Sequence, residues 1–150
     1  MNAQPKPIRR HLTEVQPWAE TCGQIRPLLD EKDGGAAEVH HLEITDAKLH
    51  YHERTDEIYY ILGGTGRMAL DDEEIALREG LVVYVPRGVK HRAWGDLKVL
   101  VVCIPRGVLG DVHEVAYKDW FLRRIILTQS PRFAQHRVRR QQLTKRQIHI

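Results

Sequence analysis

The chain has 150 residues, is 42% hydrophobic and carries a net charge of +3. That length and balance suit one soluble domain, and the longest apolar runs, 81–85 and 99–104, are too short to cross a membrane as helices. The net charge hides a split: nine of the 23 basic residues and one of the 20 acidic residues lie from Lys118 onward. The body, 1–117, therefore carries about five net negative charges and the tail about eight positive ones.

In chain order, residues 1–19 read as an N-terminal arm, because Pro5, Pro7 and Pro17 oppose a helix. The segment 1–10 has no apolar stretch of the kind that a secretory signal needs. A strand over 21–28 ends in the loop 30–35. Further strands are expected at 37–44, 47–52, 58–62, 66–70, 74–77, 81–85, 91–94 and 98–104. Turn signals separate them: Asp46, Gly63-Gly64, Asp71-Asp72, Glu79-Gly80, Arg87-Gly88, Gly95-Asp96 and 105–107. Many short strands at close spacing predict an all-β sandwich or barrel over 20–116. From 117 the period changes. Tyr117, Trp120, Phe121, Ile125 and Leu127 leave an apolar stripe suited to one helix, and Pro131 ends it. The rest of the basic tail, to 150, reads as a polar helix, a disordered tail or an arm that orders against a partner subunit. It is too short and too poor in apolar residues for a DNA-binding helix-turn-helix, so nucleic acid is not an expected partner. Cys22 and Cys103 lack paired spacing, which argues against a disulfide framework or a thiolate metal site and for a reduced, cytoplasmic setting.

The chemistry lies in two short segments. His50 and His52 are two apart on an expected strand, so both imidazoles share a face and can converge on one ion. Glu57 opens the next strand after the polar bend 53–56. In the second segment, the strand 81–85 runs into Pro86-Arg87-Gly88, a tight turn, and His91 follows. Histidine and carboxylate suit a borderline divalent metal at neutral pH. If Glu57 faces an ion, then Tyr59 and Ile61 share its face. Tyr59 either offers a hydroxyl or packs in the core. Tyr84 and Trp94 are candidate pocket residues, and Tyr59 and Tyr84 are the candidate catalytic side chains. Met68 reads as core. His40 and His41 are adjacent, so at most one faces a cavity, and surface or edge positions suit both. Arg26 and Arg67 read as surface residues before carboxylate anchors.

These two segments resemble the two signature motifs of the cupin superfamily: His-x-His, Glu and Gly in the first, then Gly, Pro-x-Gly and His in the second. Ile44 stands where the first motif usually opens with glycine, and Gly95 where the second usually closes with asparagine. The resemblance implies an antiparallel jelly-roll barrel, a double-stranded β-helix, followed by the C-terminal helix or tail. It implies that His50, His52, Glu57 and His91 bind one divalent transition metal: Fe, Mn, Ni, Co or Zn. It further implies a small-molecule ligand or substrate and a homodimer. The expected function is a metal-dependent enzyme acting on a small polar metabolite, first a dioxygenase. A non-catalytic binding or sensing barrel and a metal-dependent isomerase or lyase are the alternatives.

Overall fold

A computed structural model describes residues 6–106 and 108–116. The expected C-terminal helix and tail, 117–150, lie outside the described residues. The elements are β1 (Trp18–Glu20), β2 (Gly23–Leu29), β3 (Glu38–Asp46), β4 (His50–Tyr51), β5 (Asp56–Leu70), β6 (Glu73–Arg78), β7 (Val82–Val85), β8 (His91–Ile104) and β9 (His113–Glu114), with two short 3-10 turns, Leu12–Glu14 and Glu31–Asp33. β1 begins at Trp18, inside the stretch expected as an arm. Among the described residues no helix is long and apolar enough to cross a membrane.

Every strand pairing is antiparallel, in the order β1-β2-β3-β8-β4-β9, and β5 joins β8, β7 and β6. The result is a curled all-β sheet. Alternation along β5 puts Glu57, Tyr59 and Ile61 inside and Tyr60 and Leu62 outside, as the period-2 pattern predicts. Ile44, Ile61, Met68, Leu97 and Val99 fill the core with almost no exposure. Each such side chain contributes roughly 1.5–3 kcal/mol of burial.

Two expected turns are not turns. Gly63-Gly64 and Gly95-Asp96 lie inside the long strands β5 and β8, which pair along their whole length. A β-bulge between Ile61 and Gly63 bends the ladder there. Glycine is needed because the two backbones almost touch. Gly95 has φ +135°, and a Cβ on it would sit 2.5 Å from the Gly66 Cα. The residue type that signalled a turn instead marks a close crossing of two strands.

The Asp71-Asp72 turn is real, a two-residue hairpin loop with Asp71 at φ 46°. Asp71 also ties the start of β8 in place. Its N–H donates to the Lys90 carbonyl at 2.7 Å, and its carboxylate accepts the Lys90 N–H at 3.0 Å. His91 follows directly.

Candidate metal centre

The local chain is built to hold three imidazoles and one carboxylate still. His50 and His91 face each other across the β4–β8 ladder as direct partners. The 86–89 turn closes through Val89 N–H to the Pro86 carbonyl at 3.2 Å, with Gly88 at φ +85°, the residue a type II turn requires there. This turn also grips both halves of the site. Gly88 N–H donates to the His52 carbonyl at 2.6 Å. The Arg87 N–H and guanidinium donate to Asp56, next to Glu57, at 2.9–3.0 Å.

The outcome is one buried cluster. His50, His52, Glu57 and His91 each offer a ligand atom, and these atoms all lie within 4.8 Å of one another. The His91 and His52 Nε2 atoms stand 2.9 and 3.4 Å from the same Glu57 oxygen. The Nδ1 atoms of His50 and His91 donate to the carbonyls of Lys48 and Val89 at 2.8 and 3.0 Å. That fixes the tautomer and turns each Nε2 lone pair toward the cluster. The Nε2 atoms of His52 and His91 are buried without a hydrogen-bond partner among the described residues. Such orphaned acceptors are costly, and a cation would satisfy them. The donor set fits a divalent transition metal.

Electrostatics agree. Burial first, then the neighbouring His91, pull the His50 pKa down to about 4, so this ring is neutral at neutral pH. Burial opposes ionisation of Glu57, but the adjacent His52 and His91 imidazoles outweigh it and hold the carboxyl well below its usual range. Burial also lowers His52, yet Glu57 and Asp111 raise it by more.

Tyr59 is buried and its hydroxyl donates to Glu57 Oε2 at 3.3 Å, so it both packs and reaches the cluster. Tyr84 is different. It is 57% exposed and alternates with the buried Val83 and Val85, so it points away from the cluster. Trp94 likewise sits on the outer face, under the Arg92 guanidinium. Their strand parity, which sequence did not fix, excludes both from the pocket. Met68 is core. His40 and His41 are both buried, against the surface expectation, because β3 lies between β2 and β8 rather than at an edge. Arg26 pairs with Glu43 at 2.8 Å and Arg67 with Glu74, both at the surface.

Three participants were not legible as such. Asp111, 2% exposed, accepts the backbone N–H groups of Glu53 and Arg54 at 3.0–3.2 Å. It also stands 3.8 Å from His52 Nδ1. It thus pins the bend between His52 and Glu57. The two cysteines, far apart in sequence, converge here as free thiols. Cys22 Sγ lies 3.4 Å from His50 Nε2, and Cys103 Sγ 3.8 Å from Glu57 Oε1. Burial, then the Glu57 charge, raise both thiol pKa values and keep them protonated. The alternation Val99, Val101, Cys103 was the available signal for Cys103.

A cavity of about 490 Å³ opens above the cluster, lined by His52, Glu57, both thiols, His40, Pro105 and residues 108–112 among others.

The family model for the cupin domain matches residues 39–104, which contain all four cluster residues. Residues 39–104 are thus a cupin domain, and the fold agrees with that match. A crystal structure of a protein from Planctomyces limnophilus is similar at 26% identity, covering 72% of this chain and 96% of that one, with a TM-score of 0.68. The Streptomyces nucleoside dehydratase Pac13 shares the fold at 15% identity, over 73% of this cupin and 92% of that chain, with a TM-score of 0.64. An uncharacterised protein of Methanocaldococcus jannaschii is 37% identical over 57 residues, 37% of this chain and 46% of its own. The chain spans about half the length of the curated relatives it matches.

Proposed function

We propose that this cupin is a metal-dependent enzyme acting on a small polar metabolite, with His50, His52, Glu57 and His91 holding one divalent ion: Fe, Mn, Ni, Co or Zn. The observation that carries the reading is the pair of buried, unpartnered Nε2 atoms on His52 and His91 facing Glu57 beneath an open cavity. A divalent ion held by these four residues would supply Lewis acidity, polarising a carbonyl or hydroxyl oxygen.

The surrounding residues favour elimination or isomerisation over the dioxygenase that the resemblance first suggests. Tyr59, Cys22 and Cys103 are proton-carrying groups within reach of His50 or Glu57, and burial with the Glu57 charge keeps all three protonated. Glu57, ionised, accepts from Tyr59 and Cys103. Proton donors therefore ring one anionic acceptor. The fold shared with a dehydratase supports the same choice.

The test combines elemental analysis with a panel of hydroxylated and carbonyl metabolites in heavy water. Metal-dependent elimination or carbon-bound deuterium, seen by NMR, is expected. Oxygen uptake without deuterium exchange would move the assignment to a dioxygenase. Ligand-induced thermal shifts with neither reaction would make it a binding module. The expected homodimer draws support from an apolar outer face, where Tyr60, Leu62, Val82 and Tyr84 are exposed on the paired strands β5 and β7. A monomeric mass in light scattering rejects it.

A further inference from the structure

The cavity has a one-sided charge. Its described lining includes five carboxylates, Glu20, Glu31, Glu38, Glu57 and Asp111, and no Lys or Arg. Glu57 belongs to the cluster, and Asp111 has Arg54 and His52 beside it. Glu20, Glu31 and Glu38 remain, and a divalent ion at the cluster would not cancel all five charges. Two arginines come near but stand behind the wall. Arg54 donates to the Leu109 carbonyl at 3.1 Å, and Arg106 to the Glu31 carbonyl at 3.0 Å.

Other features point to a ligand. His40 is nine-tenths buried, lines this cavity and keeps one ring nitrogen without a hydrogen bond among the described residues. The other nitrogen of His40 is held by Glu38 at 3.0 Å. The Trp18 indole N–H donates to Glu20 at 2.8 Å, so an aromatic ring and a carboxylate stand side by side in the lining. An aromatic ring beside a carboxylate is how proteins receive a cationic nitrogen. The remaining wall is largely apolar, with Ile25, Leu42, Val101 and Val112, which suits a carbon chain.

We propose that this cavity takes a small metabolite bearing a cationic nitrogen, an ammonium or guanidinium, held by Glu20, Glu38 and Trp18 while its polar end meets the cluster. The inference rests on reading the cavity as the substrate site. Free carboxylates and phosphates are disfavoured there by repulsion that the low-dielectric wall strengthens.

The two native thiols can report on this, because both line the cavity and the chain has no other cysteine. Methanethiosulfonate reagents of matched size carry either a trimethylammonium or a sulfonate group. Their rates on Cys22 and Cys103, each normalised to mercaptoethanol, are followed by mass spectrometry. The experiment is run on chelator-treated and untreated protein, so it reads the cavity whether or not a metal binds. Metal content of the same samples judges the metal reading separately. The cationic reagent should react at least tenfold faster. That ratio should fall toward unity in Glu20→Gln/Glu38→Gln and, in the wild type, with added salt. Putrescine should protect the thiols, and succinate, of equal chain length, should not. Overturning results are a ratio at or below one, a ratio that neither salt nor the double variant changes, equal protection by putrescine and succinate, or no modification by either reagent.

Discussion

The floor and the mouth of the cavity are built in opposite ways. The floor draws on residues 50–57 and 86–91, two stretches whose spacing is local and whose turns hydrogen-bond to each other. The mouth draws on β1, the start of β3, Pro105 and residues 108–112, segments that meet only once the sheet has curled. Local spacing can fix donor geometry, and so a family can keep it. Charge at the mouth depends on side chains from distant segments, and it can change without disturbing the floor. On the proposed reading, the floor would hold the ion and the mouth would select the metabolite.

The strongest way to break that division is to remove a donor. His50→Ala or His91→Ala should drop bound metal from near one ion per chain to near zero, with the sheet retained by circular dichroism. Both rings are buried and both lone pairs face the cluster, so no neighbour can replace them. Unchanged metal content in both variants would remove the floor's assigned role.

The second test asks whether the floor needs a residue outside its motifs. Asp111→Asn keeps the size but removes the charge beside His52 and weakens the anchor on Glu53 and Arg54. Metal affinity, measured against a competing chelator, should fall by about 10–100-fold, the usual range for a carboxylate that orients a liganding histidine. A drop in melting temperature with unchanged affinity would make Asp111 structural only.

These two tests also mark what sequence could and could not reveal. That His91 joins the cluster was read from the resemblance of the two segments to the cupin motifs. His50 and His52 were legible as a pair, with Glu57 near them, because strand period acts over a few residues. Tyr59 was legible for the same reason, since it shares parity with Glu57. Asp111 was not, because its role depends on a return of the chain from β8 that no local pattern encodes. Cys22 and Cys103 failed similarly; 81 positions separate them, and only the β2–β3–β8–β5 order brings both to Glu57. Tyr84 was misplaced because the apolar run 81–85 gives no inward or outward parity. Gly64 and Gly95 misled in the other direction. Glycine serves a tight turn and a close backbone crossing equally well, and sequence does not say which.

A third test concerns acid. In the metal-free protein His50 has a folded pKa of about 4, below the ordinary imidazole value of 6.5. The unfolded chain therefore takes up the proton first. The stability that His50 contributes is complete above pH 6.5 and is lost as pH falls toward 4, at no more than about 1.4 kcal/mol per pH unit. Glu57, also depressed, adds to the loss at still lower pH. Urea midpoints of chelated protein should fall between pH 7 and 5, and His50→Gln should flatten that fall. An equal slope in both proteins would mean that burial does not hold His50 neutral.

The smallest expected effect is the sharpest probe of the division. Glu38→Gln removes one mouth charge while keeping a partner for His40 Nε2, since the amide oxygen can accept where the carboxylate did. Glu38 is half-buried on β3 and touches none of the four cluster residues. Stability should change by less than about 1 kcal/mol, as for a partly exposed pair, and metal affinity by less than about twofold. Affinity for a cationic probe such as putrescine should nevertheless fall, and more steeply at low salt, because only the mouth has changed. If metal affinity falls as far as it does in Asp111→Asn, floor and mouth are one electrostatic unit, and charge at the mouth cannot evolve independently of the metal.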